Sequence, residues 1–538
     1  MSLTKQDKAA LRATIFRHLD GIVTAPTAYT LHEKGVLEHL LEYKAVDVTE
    51  IAGKFKANEG YLNVALRILA SQGWLEAEVD NANNRVKYSV NGKSSTAFEL
   101  CRLYKDVVTL LRFSGQFHRR KFEKAPFTIL ESIFKKYQDS FGIEFSGDLE
   151  TRQIQEQVLK HIEGIAIGPT IVSLGMGGMF HKYFMEASFK AEEFHHDVES
   201  FGKILDFFAY LGWFDKKAQT YRFTEKGLFF ARRASAYGVT VSYTPTFRNL
   251  DELIFGNAEI LTTGKPGMAE LHVDREMNVW GSGGAHASYF KKVDEVIIEL
   301  FNRPLDEQPK GVVDMGCGNG AFLQHIFEVI SQRTLRGQML EDYPLLLVGA
   351  DFNEVALRVT RANLTKADIW AKVTWGDIGR PDLLAHDLSE NYGIALQDLL
   401  NVRTFLDHNR PWEPPAQQTT GRVSSSSGAY CFHGKRLSNN DVEDSLLEHF
   451  RRWEPYVRRF GLLVIELHTI SPELAAKNIG QTSATAYDAT HGYSDQFIVE
   501  VDVFNKIAAE AGLYPDPQHS CKFPDSELAT VTINLLKG

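Results

Sequence analysis

Gly311-Val312-Val313-Asp314-Met315-Gly316-Cys317-Gly318-Asn319-Gly320 is an apolar run that breaks into a glycine-rich turn, and Ala321-Phe322-Leu323-Gln324-His325-Ile326-Phe327 opens a helix directly behind it. Glycines let the backbone turn tightly into a helix N-terminus and approach a ligand closely. A GxGxG turn serves several nucleotide ligands, so the residue in front of it decides among them. Asp314 would repel a pyrophosphate, whereas it suits the cationic methionine end of S-adenosylmethionine. From Lys310 onward, strands alternate with helices, the pattern of a doubly wound sheet.

Two further strands carry the same argument. Leu345-Leu346-Leu347-Val348-Gly349-Ala350 ends in Asp351, placed for ribose hydroxyls, with Phe352 beside it for adenine. Lys372-Val373-Thr374-Trp375 ends in Gly376-Asp377-Ile378, where a carboxylate can accept from the adenine amino group. The expected donor site is therefore Asp314, Gly316, Gly318, Gly320, Asp351, Phe352, Asp377 and Ile378. The Asp314-to-Asp351 gap exceeds the usual roughly 20 residues, which implies an insertion around Thr334–Tyr343. Strands at Ile394–Leu400, Leu462–Ile465, near Cys521-Lys522-Phe523 and at Thr530–Ile533 complete a seven-stranded, Rossmann-like α/β sheet of the class I methyltransferase kind.

The whole chain has 538 residues, 44% hydrophobic and 24% charged, with a formal net charge of -10. That length suits about three domains. The acidic balance argues against nucleic-acid binding, which needs a surplus of Lys and Arg. Its four cysteines show no paired spacing, which suits reduced thiols in a cytosol. No signal-peptide pattern or run of about 18 apolar residues occurs, so a cytoplasmic location without a membrane is expected.

The N-terminal half reads as a tandem. His18-Leu19-Asp20-Gly21-Ile22 with Ala25-Pro26-Thr27 returns as His161-Ile162-Glu163-Gly164-Ile165 with Gly168-Pro169-Thr170. Ile68-Leu69-Ala70 and Gly73-Trp74-Leu75-Glu76 return as Phe207-Phe208-Ala209 and Gly212-Trp213-Phe214-Asp215. Each unit has the pattern of a winged helix: a helix from Val48 with Thr49 as its cap, a second helix with an apolar stripe at Leu62, Leu66, Ile68 and Leu69, and a hairpin from Trp74 to Val90. The would-be recognition helix carries no Lys or Arg between Asn58 and Arg67, so a packing or dimerisation module is favoured over a DNA reader. A helical connector spans Arg102–Gln157. Gly281, Gly283 and Gly284 mark a boundary, which gives segments 1–150, 151–284 and 285–538.

Acceptor chemistry in an open sheet sits at the C-terminal ends of the strands. The fourth leads into Asp407 and His408 and the fifth into His468; Ser494 is expected to cap a helix, with Gln496 in its first turn and His491 in the adjoining loop. Two readings stand side by side. In one, His408 or His491 is a general base, with His468 a further catalytic candidate. In the other, a carboxylate, an imidazole and an amide oxygen hold a divalent or ferric ion that polarises a carbonyl. His433 and Glu466 are alternates. The polar loop Pro414–Asn440, with Ser424-Ser425-Ser426-Ser427-Gly428, has the composition of a mobile lid or a linker.

The stretches Leu399-Leu400-Asn401-Val402-Arg403-Thr404-Phe405-Leu406-Asp407-His408-Asn409-Arg410-Pro411, Ile465-Glu466-Leu467-His468-Thr469-Ile470-Ser471 and Thr490-His491-Gly492-Tyr493-Ser494-Asp495-Gln496 resemble the methyltransferase domains of polyketide synthase starter modules of the apratoxin and saxitoxin type. The similarity extends through most of the chain. It implies S-adenosylmethionine, one metal ion (Fe or Mn), and C-methylation of a malonyl group carried as a carrier-protein thioester. It also implies metal ligands His491 and Gln496, with Asp407 as the acidic partner. Family members continue into a decarboxylase and a carrier domain, so a separate carrier or an excised module is expected here. O-methylation of a small hydroxylated molecule by a histidine base is the alternative. A regulator that senses the donor and binds DNA is the non-enzymatic one. A homodimer is among the expectations.

Overall fold

The computed structural model describes residues 2–113, 117–118, 121–122, 124–262 and 270–538. Residues 114–116, 119–120 and 123 of the expected connector, and 263–269 of the mixed stretch before the boundary, lie outside the described residues.

The duplication is visible in the topology. The first unit runs α1 (Lys5–Glu33), β1 (Ala45–Asp47), α2 (Val48–Phe55), α3 (Glu59–Ser71), β2 (Leu75–Asp80) and β3 (Arg85–Val90), with strand order β1-β3-β2. The second runs α4 (Leu149–Met176), β4 (Phe189–Lys190), α5 (Val198–Tyr210), β5 (Phe214–Lys217) and β6 (Thr220–Phe223), with the same order β4-β6-β5. Helix α2 starts one residue before Thr49, and its cap is Asp47, whose side chain accepts the Thr49 N–H. An aspartate oxygen reaches that donor without needing the threonine outside the helix.

The repeated His-x-x-Gly motifs are where α1 and α4 cross. A Cβ on Gly21 would lie 2.3 Å from His161 Cα, and one on Gly164 would lie 2.4 Å from the His18 carbonyl oxygen. The side chains repeat the symmetry: His18 Nδ1 bonds Tyr237 at 2.7 Å, and His161 Nδ1 bonds Tyr104 at 2.8 Å. Symmetry ends at α3. Every residue from Gly60 to Ser71 is buried, so the recognition helix of the first unit has no face left to read a groove. In α5, only Phe201, Ile204, Leu205, Phe207 and Phe208 are buried.

The C-terminal half opens with α6 (Arg275–Phe301). Gly281, Gly283 and Gly284 lie inside this helix and not in a break of the chain, a correction to their reading as a boundary. Gly281 is there for proximity: a Cβ would meet Val239 N at 2.5 Å. Then come β7 (Gly311–Met315), α7 (Ala321–Arg333), β8 (Leu346–Asp351), α8 (Glu354–Lys366), β9 (Lys372–Trp375), α9 (Pro381–Tyr392), β10 (Leu399–Thr404), α10 (Asn439–Val457), β11 (Leu462–Leu467), α11 (Ala484–Gly492), α12 (Val501–Glu510), β12 (Tyr514–Phe523) and β13 (Val531–Lys537). The seven strands lie in the order β9-β8-β7-β10-β11-β13-β12, with β13 antiparallel to both neighbours. Apolar cores fill both faces of this sheet. The fourth strand starts at Leu399 and not at Ile394, because Leu396–Asp398 turn as a 3-10 helix first. The expected insertion is a 3-10 turn, Arg336–Met339, tied down by the Arg336 guanidinium on the carbonyls of Tyr343 and Pro344.

The serine loop is pinned, contrary to its composition. Arg422 pairs with Glu443, Asp444 and Glu510, and Ser426 and Ser427 donate to Glu500. Asn81 of the first unit donates to the carbonyls of Ser424 and Ser426. Among the described residues, no helix is long and apolar enough to cross a membrane.

Gly21→Ala and Gly164→Ala test the crossing. Alanine gains up to about 1 kcal/mol of helix propensity, but overpacking costs typically about 1–3 kcal/mol or more. Each variant should unfold at lower urea than the parent, followed by circular dichroism; an unchanged midpoint would contradict the contact.

Candidate active site

Strand β7 is buried at all five positions and ends in the glycine turn. Gly316, Gly318 and Gly320 take φ of 81°, 57° and 79°, the left-handed region that side chains rarely adopt. The turn is fastened to the next strand: Gly316 and Cys317 N–H both reach the Ala350 carbonyl, and Gly318 N–H donates to Asp351 Oδ2 at 2.9 Å. Phe352 and Trp375 are half-exposed, with ring centroids 5.6 Å apart. Asp377 accepts the Gly379 N–H, and the Ile378 carbonyl accepts from Trp453, which fixes the turn after β9.

Asp314 is buried, in register with Gly349 of β8 and Val402 of β10. Burial, and then the charge of Asp351, push its carboxyl up to about 8. A buried acid without a cation stays protonated, and a sulfonium or ammonium ligand would draw it into the charged form. The three carboxylates at 314, 351 and 377 thus stand at the ends of adjacent strands. Trp375 was not singled out in the sequence, where it reads as an ordinary strand residue.

On the acceptor side, the chain leaves β10 through Phe405, a non-glycine residue at φ 54°. Glu466, at the end of β11, holds the residues just beyond that point. Its Oε2 accepts the N–H groups of Asp407 (2.8 Å) and His408 (3.3 Å), and its Oε1 accepts from Leu467 N–H and from His408 Nδ1. His491 lies in the last turn of α11, not in a loop, and its Nδ1 donates to the Tyr487 carbonyl at 2.9 Å. The two rings meet edge to face with centroids 4.9 Å apart. Burial and the neighbouring His408 push His491 down to about 3, so it is neutral at ordinary pH. Gln496 donates its backbone N–H to the His491 carbonyl but lies outside any helix. The next helix begins only at Val501, with Glu500 as its cap, so Ser494 caps nothing.

Two expected residues are taken elsewhere. His468 is fully buried, with Nδ1 on the Val499 carbonyl (3.1 Å) and Nε2 on Thr532 Oγ (2.7 Å), and burial pushes it down to about 4. Both ring nitrogens are spent inside the sheet, so it does not serve the mouth. Asp407 is also buried and bonded to Arg403 Nε (2.9 Å) and His449 Nε2 (2.9 Å). Burial opposes its ionisation, but Arg403 and His449 outweigh that and hold it at about 2. Its charge is already answered, which removes it as a ligand. His433 sits at the tip of a hairpin, paired with Glu259. Tyr243 and His272, from the region before α6, come to the same place: Tyr243 is 6.2 Å from His491 and 5.9 Å from His272, ring to ring. Nothing local in the sequence marks either one. Among the described residues, no group of three or more His, Cys, Asp or Glu is placed to hold a metal ion.

Three family profiles match the chain: the AprA N-terminal domain over residues 11–77, the AprA winged helix domain over 163–257 and the AprA MT2-like domain over 270–534. The chain belongs to the AprA-type methyltransferases. It is an S-adenosylmethionine-dependent methyltransferase. Solved structures also match. The mitomycin 7-O-methyltransferase MmcR is 12% identical, covering 73% of this chain and 100% of its own, with a TM-score of 0.41. An O-methyltransferase family protein from Burkholderia thailandensis is 12% identical over 69% of this chain and 95% of its own, with a TM-score of 0.37. The neocarzinostatin O-methyltransferase NcsB1, solved with S-adenosylmethionine and a naphthoic acid, is 14% identical over 69% and 96%, with a TM-score of 0.34. A comparison with curated proteins returned no match.

Donor affinity should follow the Asp314 proton. Because its pKa is raised in the free protein and a cation favours the ionised form, binding releases a proton. Affinity should therefore climb as pH rises, by up to about tenfold per unit, and level off above about 8. Asp314→Asn should lose about 1.5–3 kcal/mol of binding and the pH slope with it, by calorimetry at pH 6.5, 7.5 and 9. A slope that survives in the variant would assign the proton to another group.

Proposed function

We propose that this AprA-type enzyme methylates the α-carbon of a malonyl-type acyl thioester, borne by a carrier protein or a small molecule, with the help of one metal ion. The observation that carries the reading is the pair of facing imidazoles. His408 spends Nδ1 on Glu466 and His491 spends Nδ1 on the Tyr487 carbonyl, which leaves Nε2 of each ring without a hydrogen bond among the described residues. A ligating histidine is oriented in just this way, by an oxygen behind its other nitrogen. Two facing rings at 4.9 Å and an amide would then make a donor set for a divalent or ferric ion such as Mn or Fe. His408, His491 and Gln496 would hold it, and Asp407 would not. When bound, such an ion supplies Lewis acidity to a β-dicarbonyl, so that the carbon between the carbonyls loses its proton more readily.

The remaining work falls to the chain. Glu466 fixes the tautomer and direction of His408. Asp314 faces the positive donor, and its own ionisation completes the charge balance. Tyr243 and His272 lie against His491 from the N-terminal side, and the near-complete burial of His408 and His491 keeps water from the transferred methyl. A second reading rests on the same His408–Glu466 contact: an imidazole backed by a carboxylate is also a general base for a hydroxyl, which is O-methylation of a small molecule.

Elemental analysis of the purified protein separates the two. The preferred reading expects about one metal per chain, lost in His491→Ala, with affinity lowered about 10–100-fold in Glu466→Gln. Malonyl thioester incubated with the donor should gain one methyl by mass spectrometry. A metal-free wild type that leaves the thioester unmodified and methylates a phenol would establish the histidine-base reading instead.

A further inference from the structure

Arg67 is the one basic residue on the buried recognition helix α3, and none of its bonds are made within its own unit. Its Nε donates to Asp488 Oδ2 at 2.9 Å, one Nη donates to Thr469 Oγ (3.0 Å) and to the Ile470 carbonyl (2.7 Å), and the other donates to the Ser427 carbonyl. Thr469 closes the figure by donating to Asp488 Oδ1 at 2.6 Å. The guanidinium is 2% exposed and wholly engaged.

These partners are the supports of the acceptor site. Asp488 is on α11 one turn before His491 and on the same face. Thr469 and Ile470 continue β11 three and four residues past Glu466, the carboxylate behind His408. Ser427 belongs to the serine loop and also donates to Glu500. One planar fork therefore spans the two segments that carry His408's support and His491. The second unit shows that the winged-helix fold does not itself require this arginine. The motif alignment puts Asp206 at the corresponding place, and there it is half-exposed and paired with Lys216.

We propose that Arg67 is a positioning residue: the recognition helix of the first unit serves as a clamp, and its guanidinium sets the spacing between the His408–Glu466 pair and His491. The inference rests on the acceptor site proposed above. It makes the N-terminal unit part of the catalytic apparatus and not a cover over it. Lysine supplies the charge but not the fork, so it cannot reach Asp488, Thr469 and Ser427 together.

The test uses the full-length protein with Arg67→Lys, Arg67→Met and the milder Asp488→Asn. Donor affinity, read by calorimetry, should stay within about threefold, while kcat for methyl transfer falls about 100-fold, the cost of an ångström-scale misplacement. Guanidinium ion added to Arg67→Met should recover part of kcat, which it would not do for a merely destabilised fold. Hydrogen exchange read without any acceptor should quicken over residues 484–499 and stay unchanged over 311–320. A kcat within threefold of wild type, donor affinity lost in proportion to kcat, or unchanged exchange at 484–499 would each overturn the proposal. If Arg67→Met does not fold, Asp488→Asn carries the same three readouts. A wild type inert toward malonyl thioester would count against the functional reading alone, since the exchange arm decides Arg67 without an acceptor.

Discussion

Glu466 is a carboxylate buried at the end of a central strand, and most of the site's geometry depends on what it accepts. Three backbone N–H groups and one imidazole N–H converge on its two oxygens. Backbone donors cannot rotate away, so the turn after β10 is locked to the end of β11. Phe405 sits in the left-handed region at a cost of order 1–3 kcal/mol, and such a residue persists only where its surroundings over-determine it. Its own N–H donates to the Ile465 carbonyl at 2.7 Å, and Glu466 takes the next amides but one. The same turn reaches the donor side. Leu406 Cδ2 lies 2.8 Å from where a Cβ on Gly316 would be, so the first glycine is required by the acceptor loop as much as by the ligand. Donor turn and acceptor histidine are thereby built as one piece.

The N-terminal half shows one design used twice for different ends. The reciprocal Gly21–His161 and Gly164–His18 contacts hold two winged-helix units around a local two-fold crossing. Two copies of a fold give two recognition helices, and the catalytic domain consumes one of them completely. That accounts for the scarcity of basic residues on α3: a helix buried on every side serves packing, and Arg67, its one basic residue, is there with its charge met.

Short-range pattern carried the sheet. Apolar runs, a glycine turn and acidic strand ends are local features, and they sit where their spacing placed them. The acceptor rim was legible in part. His408, just past the end of β10, and His491, in the last turn of α11, meet ring to ring, and the Gln496 backbone bonds the His491 carbonyl, because strand order brings those ends to one edge. Two rim residues are lost to side-chain partners that no periodicity announces. His468 looks like a rim histidine until Thr532 and Val499 take its nitrogens. Asp407 looks like a ligand until Arg403 and His449 claim it. Tyr243 and His272 could not be placed at all, since about 200 residues separate them from the helix they meet, and no periodicity spans such a gap. The serine loop misled for the opposite reason. Ser and Gly are what a mobile segment uses, and also what a loop uses when its hydroxyls are to be spent on buried carboxylates.

Energetics bear on why a clamp of this kind is polar. Taking an arginine and an aspartate out of water costs several kcal/mol per ion, and well-packed apolar replacements for such pairs are often neutral or more stable by about 1–4 kcal/mol. Stability alone would therefore favour leucines between α3 and α11. Apolar contacts, however, are non-directional and tolerate sliding by fractions of an ångström. A planar guanidinium with four oxygen acceptors fixes both distance and angle, because each bond weakens steeply off axis. The proposed metal site would need two rings held at one separation while a loop and two helices meet around them. The interface has given up some cohesive energy for a joint that admits one arrangement, and the joint lies one helical turn from the histidine it would have to hold.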